Sequence, residues 1–153
     1  MRILAGALAD CVHVAGVHHF LALAEQMGHE VHFTGPATDV ETWADVAREY
    51  HPDVIGVSYR LTAETGRQAL IEFRDVMQAA GLSDRTFVFG GTPPVAAVAR
   101  ELGIFDAVFD GTEPPSAVVR FLRGGGDGEA EDARPPQSTI RRIRWKAPYP
   151  LLR

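Results

Sequence analysis

The chain has little of what would place it in a membrane or outside the cell. It contains one cysteine in 153 residues, so no disulfide can form within it. No apolar run approaches the roughly 20 residues that a membrane-spanning helix needs. A lipidation or export signal is not recognisable, because the first apolar run is very short and Asp10 precedes Cys11, where a small residue would be required. These absences predict a cytoplasmic protein.

Basic residues are also in the minority. The formal net charge is −5 at pH 7, and Lys146 is the only lysine. We therefore expect neither a nucleic acid nor a membrane surface as a partner. With 46% apolar and 23% charged residues, the chain has the composition of a globular protein with one domain.

Short apolar runs alternate with stretches of helical periodicity up to residue 123. Runs rich in Val, Ile and Phe predict five strands, at residues 2–8, 30–33, 53–58, 86–91 and 106–109. Helices are predicted before Gly28 and at residues 39–50, 63–80, 93–102 and 114–122, with Asp39 and Thr62 as N-caps. Two of the strands are apolar almost throughout, which is typical of a sheet covered on both faces. The sequence thus predicts an α/β, flavodoxin-like (Rossmann-type) fold, a doubly wound sheet of five parallel strands.

The composition changes after the predicted domain, residues 1–123. Residues 124–139 are rich in Gly, Pro and acidic residues without periodicity, which predicts a flexible linker. Residues 140–153 are basic and aromatic, and they contain no acidic residue. We interpret this tail as a docking segment that leads to a further domain or a partner, with a solvated tail as the alternative.

Reactive side chains are concentrated in one loop. Three histidines, the cysteine and an aspartate lie within LADCVHVAGVHHF, residues 8–20, directly after the first predicted strand. The loops after the third, fourth and fifth predicted strands (58–62, 90–94 and 110–112) carry polar residues and glycines. In an open parallel sheet such loops meet at the carboxyl ends of the strands, where ligands bind. We therefore expect a ligand site at this edge.

Four motifs at this edge resemble those of a known family. They are HVAG with His13 and Gly16, GVSYRLT with Ser58, FGGTPP with Gly90 and Gly91, and DGTEPP with Gly111 and Thr112. Over residues 1–123 the chain resembles the cobalamin (vitamin B12)-binding domain of adenosylcobalamin-dependent mutases and methylcobalamin-dependent methyltransferases. Its first loop is similar in style to that of the small subunit of glutamate mutase, and methylmalonyl-CoA mutase has a domain of the same kind.

The resemblance implies that His13 is the lower axial ligand of cobalt. In the family an aspartate two residues before this histidine hydrogen-bonds its other ring nitrogen, which orients the ligand and raises its basicity. Here Cys11 holds that place and Asp10 lies one residue earlier, so support from either residue is left open. The implied cofactor-binding residues are Asp10, Cys11, His13, Val14, Ala15, Gly16, Ser58, Tyr59, Arg60, Leu61, Gly90, Gly91, Thr92, Gly111 and Thr112.

The resemblance also implies a slot for the cofactor's dimethylbenzimidazole base, which leaves cobalt when a histidine binds. Small residues line such a slot between the sheet and the first helix. Gly16 opens its mouth, Gly90 and Gly91 let backbone approach the nucleotide tail, and Ser58 bonds a base nitrogen. We accordingly expect Gly91→Val to keep the fold and to abolish cobalamin uptake.

Three other interpretations explain these residues less well. A zinc site of Cys11, His13, His18 and His19 has enough ligands but not a familiar zinc spacing. A phosphoacceptor receiver domain needs an aspartate ending the third strand and a lysine ending the fifth, and neither is present. A flavodoxin needs a Ser/Thr-rich phosphate loop after the first strand, which ADCVHVAG lacks.

Among cobalamin proteins, the resemblance favours the cobalamin subunit or domain of an adenosylcobalamin-dependent isomerase (mutase). The first strand begins at Arg2, without the helical cap that precedes the sheet in methyltransferase corrinoid proteins and light-sensing regulators. We expect adenosylcobalamin rather than methylcobalamin, a barrel-type substrate-binding partner, and no turnover by the chain alone, since no acid–base or nucleophilic set is visible. The alternatives are a corrinoid carrier for a methyltransferase or radical enzyme, and a non-enzymatic cobalamin-binding or sensing module.

Overall fold

Strands and helices alternate in the computed structural model, which describes residues 1–124 and the backbone of residues 145–146. The strands are β1 (Arg2–Ala7), β2 (Glu30–Phe33), β3 (Val54–Tyr59), β4 (Thr86–Gly91), β5 (Ala107–Phe109) and β6 (Trp145–Lys146). The helices are α1 (Ala15–Gln26), α2 (Val40–Tyr50), α3 (Ala63–Ala79), α4 (Pro93–Leu102) and α5 (Pro115–Leu122). The five predicted strands and five predicted helices are therefore confirmed.

All strand pairs in the sheet are parallel, and the strand order is β5-β4-β3-β1-β2-β6. The chain runs from β1 outward to β2 and then returns to the other side of β1 with β3. This reversal opens a crevice at the carboxyl ends of β1 and β3, the position where doubly wound sheets bind ligands. The flavodoxin-like fold predicted from the sequence is confirmed.

One short strand was not predicted. The two residues of β6 pair with Val31 and His32 of β2 and extend the sheet at that edge. They fall in the segment interpreted above as a docking tail, residues 140–153. Apart from Gly124 and the backbone of β6, the predicted linker (124–139) and tail lie outside the described residues.

Local capping explains where two of the helices begin. The backbone N–H of Thr42 donates to Oδ1 of Asp39 over 2.8 Å, and that of Thr65 donates to Oγ1 of Thr62 over 3.1 Å. Both predicted N-caps are therefore confirmed. By contrast, α1 begins after Val14, which provides no side-chain cap, so its start depends on how the preceding loop is held.

Helices cover both faces of the sheet. On one face α2, α3 and α4 bury large side chains, including Trp43, Phe73 and Phe89, all fully buried. On the other face α1 and α5 bury a smaller set that includes Ile3 and Leu21. Every residue of β3 is buried, as expected for a central strand between two helical layers. The ligand site that the sequence predicts at the carboxyl ends of the strands lies on the side of the sheet covered by α1 and α5.

A buried histidine joins the two ends of the domain. His29 is 3% exposed; its Nε2 donates to the carbonyl oxygen of Leu122 over 2.8 Å, and its Nδ1 lies 3.1 Å from the α-amino group of Met1. Burial, together with that positive amino group, lowers the pKa of His29. This pair of contacts holds the end of α5 against the rest of the α1/α5 face.

Candidate functional site

A groove of about 280 Å³ lies between the sheet and the helices α1 and α5. It opens at the carboxyl ends of the central strands, which is the edge where the sequence predicts a ligand site. Its lining is mostly apolar, and the residues are Ala5, Gly16, Val17, His19, Phe20, Gly56, Val57, Ser58, Arg60, Val88, Phe89, Gly90, Gly91, Phe109, Gly111, Glu113 and Val118.

The groove exists because small residues from adjacent strands stand side by side. Strand register places Gly56 of β3 between Ala5 of β1 and Val88 of β4. A Cβ atom at Gly56 would lie 3.1 Å from Cβ of Ala5 and 3.3 Å from Cγ1 of Val88, so a larger residue on this floor would require its neighbours to shift. In the next row Ser58 pairs with Gly90, and a Cβ atom at Gly90 would meet nothing within 4 Å. The space above Gly90 is the open part of the groove.

Aromatic rings close one side of the groove. Phe20 of α1 and Phe109 of β5 line it, and both rings pack on Phe121 of α5, with centroid distances of 6.5 and 6.1 Å. Gly16 and Phe20 lie four residues apart and therefore on the same face of α1. A Cβ atom at Gly16 would also meet nothing within 4 Å, so the helix leaves room at the mouth and provides a ring further in.

Ser58 is the polar group inside the groove. It is 8% exposed, and within residues 1–124 its hydroxyl has no hydrogen-bond partner. Its oxygen is not among the described side-chain atoms that are both unpaired and shut off from solvent, so the hydroxyl faces the groove and can bond a ligand atom there. The residues present thus fit a flat, largely apolar group with one acceptor.

The loop that carries His13 is anchored by its neighbour. Cys11 is fully buried, and its carbonyl oxygen accepts from the backbone N–H of Ala37 over 2.8 Å. The next two residues project: Val12 is 62% exposed, and His13 is exposed as well. The Cys11 sulfur lies 3.7 Å from Nδ1 of His13. In the tautomer that leaves Nε2 available for a metal, Nδ1–H donates toward this sulfur.

Asp10 takes no part in this contact. It is exposed, and in the part of the chain that the structure describes no hydrogen bond joins it to His13. In the described residues it is the Cys11 sulfur, and not the Asp10 carboxylate, that lies next to the imidazole.

Six of the fifteen predicted site residues line the groove: Gly16, Ser58, Arg60, Gly90, Gly91 and Gly111. The others do not: Asp10, Cys11, His13, Val14, Ala15, Tyr59, Leu61, Thr92 and Thr112. Side-chain alternation along β3 explains Tyr59, which points to the opposite face and donates to Oγ1 of Thr65 over 2.7 Å. The hydroxyl of Thr112 donates to Oδ1 of Asp110 over 2.5 Å, so this side chain stabilises the loop after β5 and does not line the groove.

The loop after β5 is closed by two carboxylates. Oδ1 of Asp110 also accepts from the backbone N–H of Thr112 over 2.9 Å, and the carboxylate of Glu113 accepts from the N–H groups of Asp110 and Gly111. These hydrogen bonds, chiefly those from Thr112, hold the pKa of Asp110 well below its usual range. Glu113 was missed by sequence reasoning, although its place three residues after Asp110 suits a side chain that caps this turn.

Other lining residues were also missed as site residues. Gly56, Phe109 and Val118 line the groove, and only Gly56 has a local signal, a glycine within an otherwise apolar strand. The alternative zinc set is not assembled: residues 1–124 contain no cluster of three His, Cys, Asp or Glu side chains that could hold a metal. His18 packs instead edge-on against Phe33, with a centroid distance of 4.4 Å.

The expectation that Gly91→Val keeps the fold is wrong. A Cβ atom at Gly91 would lie 2.5 Å from the carbonyl oxygen of Tyr59 and 2.8 Å from Cε1 of Phe89. Gly91 is therefore required by the packing on the α2/α3/α4 face, and the substitution would disturb the fold. The open position on the groove side is Gly90, one residue earlier.

Comparison with known proteins agrees with this geometry. Residues 1–120 match the family model of the B12 binding domain, and the chain belongs to this family of cobalamin-binding domains. A novel cobalamin-binding protein from Desulfitobacterium hafniense DCB-2 is 27% identical, with a TM-score of 0.67 over 80% of this chain and 57% of that one.

Two further structures share the fold. The methanol:cobalamin methyltransferase complex MtaBC from Methanosarcina barkeri matches at 17% identity and a TM-score of 0.66, over 82% of this chain and 48% of that one. The response regulator RcsB of Salmonella typhimurium matches at 12% identity and a TM-score of 0.50, over 82% and 62%. The chain thus spans about half of the two cobalamin proteins' length. None of the helices in the described residues could cross a membrane.

We predict that Gly90→Val keeps the fold and weakens cobalamin binding by about 10–100-fold, because the new side chain fills the groove. Its matched control is Gly91→Val, which should lower the melting temperature because of the close contacts described above. Absorbance titration with cobalamin measures binding, and circular dichroism measures melting. A Gly90→Val protein that binds like the wild type would show that the ligand does not use this groove.

Proposed function

We infer that this chain is a corrinoid carrier, a protein that binds cobalamin with its lower base off the metal and presents it to a partner. The observation that carries the proposal is the Ser58 hydroxyl, which lines the groove beside the open space above Gly90 and has no hydrogen-bond partner within residues 1–124. In this proposal the detached base enters the groove, and Ser58 donates a hydrogen bond to its free ring nitrogen. Gly16 and Gly90 provide the space, while Phe20 and Phe109 provide apolar contact.

His13 is the proposed lower ligand of cobalt. Its imidazole is exposed at the same edge of the sheet, three residues before Gly16 at the mouth of the groove. Neutral imidazole suits cobalt as a ligand, and the buried Cys11 behind it restricts the ring. Bound cobalamin would supply a cobalt–carbon bond for radical or methyl-transfer chemistry.

Two exposed apolar side chains fit the same proposal. Val12 and Leu61 are large hydrophobic residues with exposures of 62% and 39%. They lie in the loops that follow β1 and β3, the neighbouring strands on either side of the crevice. Exposed apolar residues at a predicted ligand edge suit contact with the underside of a corrin ring.

We predict that His13→Ala weakens cobalamin binding or leaves the bound cofactor base-on. Electron paramagnetic resonance of the cob(II)alamin form tests the ligand directly, with ¹⁵N-histidine incorporated into the wild type. Coupling from the labelled histidine is the expected result, and His19→Ala serves as the control because His19 lines the groove without a role as ligand. Coupling from dimethylbenzimidazole instead would refute base-off binding.

We further predict that Cys11, and not Asp10, supports His13. Because the sulfur is the group near Nδ1, Cys11→Ala should lower affinity for cobalamin by about 10–100-fold, as losses behind a metal ligand commonly do. Asp10→Asn should leave the affinity unchanged, although Asp10 stands in the same loop. The opposite pattern, a loss only in Asp10→Asn, would show that the loop rearranges when cobalamin binds.

For the reaction class, we propose a component of an adenosylcobalamin-dependent isomerase whose substrate is bound by a barrel-type partner. In this proposal the partner completes the site, because the described chain lines only one side of it. The polar side chains in the groove lining are His19, Ser58, Arg60 and Glu113, and they form no hydrogen bond with one another. Support comes from the resemblance of the first loop to that of glutamate mutase. The second candidate, a methyl carrier, is favoured by the fold shared with the methanol:cobalamin methyltransferase complex.

We predict that the full chain loaded with adenosylcobalamin has no turnover alone and gains isomerase turnover only with its partner subunit. We expect this because the titratable side chains in the described groove lining, His19, Arg60 and Glu113, form no hydrogen bond with one another. The control is the same mixture loaded with methylcobalamin. Methyl transfer by that control would replace the isomerase proposal, and turnover by the isolated chain would refute the carrier role.

A further inference from the structure

We propose that the groove selects among corrinoids by their lower base and favours a benzimidazole over a purine. The inference rests on the proposed function, because it requires the base to enter this groove. It concerns the interior of the groove, and the reason lies in how few hydrogen-bonding groups are available there.

Among the described residues, the groove interior offers a single hydrogen-bonding side chain. The floor and walls around the open space are Ala5, Gly56, Val88, Phe20 and Phe109, which have no polar side-chain atom. Ser58 is the buried exception. The strand backbone of the floor adds little, since Ser58 and Gly90 face each other in the β3–β4 pairing and Gly90 pairs again with Phe109 of β5. The first-turn N–H groups of α1 belong to the mouth, where Gly16 lies.

The other polar side chains lie at the mouth. His19 and Arg60 are exposed, and Glu113 is half-buried. The Glu113 carboxylate already accepts from two backbone N–H groups of its loop. These groups can meet solvent or the hydrophilic parts of a cofactor, but they do not stand among the apolar residues of the interior.

The chemistry of the two base types then decides the preference. A benzimidazole that has left cobalt has one free ring nitrogen, and one donor, Ser58, is present for it. Adenine carries further ring nitrogens and an exocyclic amino group, which would lose water without gaining partners. Each unpaired buried polar group costs enough to weaken binding by about 10-fold or more. We expect an adenine cobamide to bind about 10–100-fold more weakly than cobalamin.

The experiment compares three corrinoids on the full chain by absorbance titration: cobalamin, the cobamide with adenine in place of dimethylbenzimidazole, and cobinamide, which lacks the nucleotide. Free cofactors differ in how firmly their own bases hold cobalt. Each affinity is therefore corrected for the base-on equilibrium of that cofactor, measured by acid titration. Cobalamin is expected to bind tightest.

A substitution on the groove floor makes the test independent of the cofactors' own chemistry. Val88→Thr adds a hydroxyl to the interior without changing side-chain size. It should lower the ratio of the affinity for cobalamin to the affinity for the adenine cobamide several-fold. Val108→Thr is the matched control. Val108 belongs to the neighbouring strand β5 but packs against the core on the opposite face. The ratio of the two affinities in this variant should therefore equal that of the wild type. Melting curves confirm that both variants fold.

The outcomes separate this inference from the proposed function. Equal corrected affinities for cobalamin and the adenine cobamide, or an unchanged ratio in Val88→Thr, overturn the selection by lower base and leave the carrier proposal intact. Cobinamide binding as tightly as cobalamin overturns the placement of the base in the groove. Failure of the wild-type chain to bind any of the three corrinoids overturns the proposed function itself.

Discussion

The candidate site depends on a gap in the packing between the sheet and its α1/α5 layer. Protein interiors are normally filled to the density of organic crystals. Here Ala5 and Gly56 pair in one row of the sheet, and Gly90 lies opposite Ser58 in the next row, so small residues leave space under the helices. The opposite face shows the contrast, since Trp43, Phe73 and Phe89 fill the space under α2 and α3. One sheet therefore combines a packed face, which stabilises the fold, with a hollow face that can accept a ligand.

The hollow face has its own supports. Phe121 of α5 packs against the rings of Phe20 and Phe109, and His29 binds the last carbonyl group of α5. The turn after β5 is held by Asp110 and Glu113 through bonds within the loop. These contacts keep the walls apart without filling the space between them. Such preorganisation reduces the cost of ordering the site when a ligand binds.

The first loop places a thiol next to His13, where the resemblance implies a carboxylate. The family carboxylate position is held by Cys11, whose sulfur lies 3.7 Å from Nδ1 of His13. A thiol is a weaker hydrogen-bond partner than a carboxylate, but it is also an apolar group that can be fully buried. The buried sulfur thereby ties the loop to the core while the next two residues reach outward.

The sequence by itself determined the elements of the fold, both N-caps and the edge at which the four motifs meet, because periodicity, capping and strand ends are local properties. It also predicted Ser58 and Gly90 as site residues, and both line the groove. It did not distinguish Gly90 from Gly91, since the face on which each glycine lies follows from the pairing of β4 with its neighbours. Likewise, only tertiary contacts revealed that Gly56 forms the floor and that Cys11 is buried. Strand register and loop closure join residues far apart in the chain, and for that reason the tertiary structure alone decided which residues form the groove.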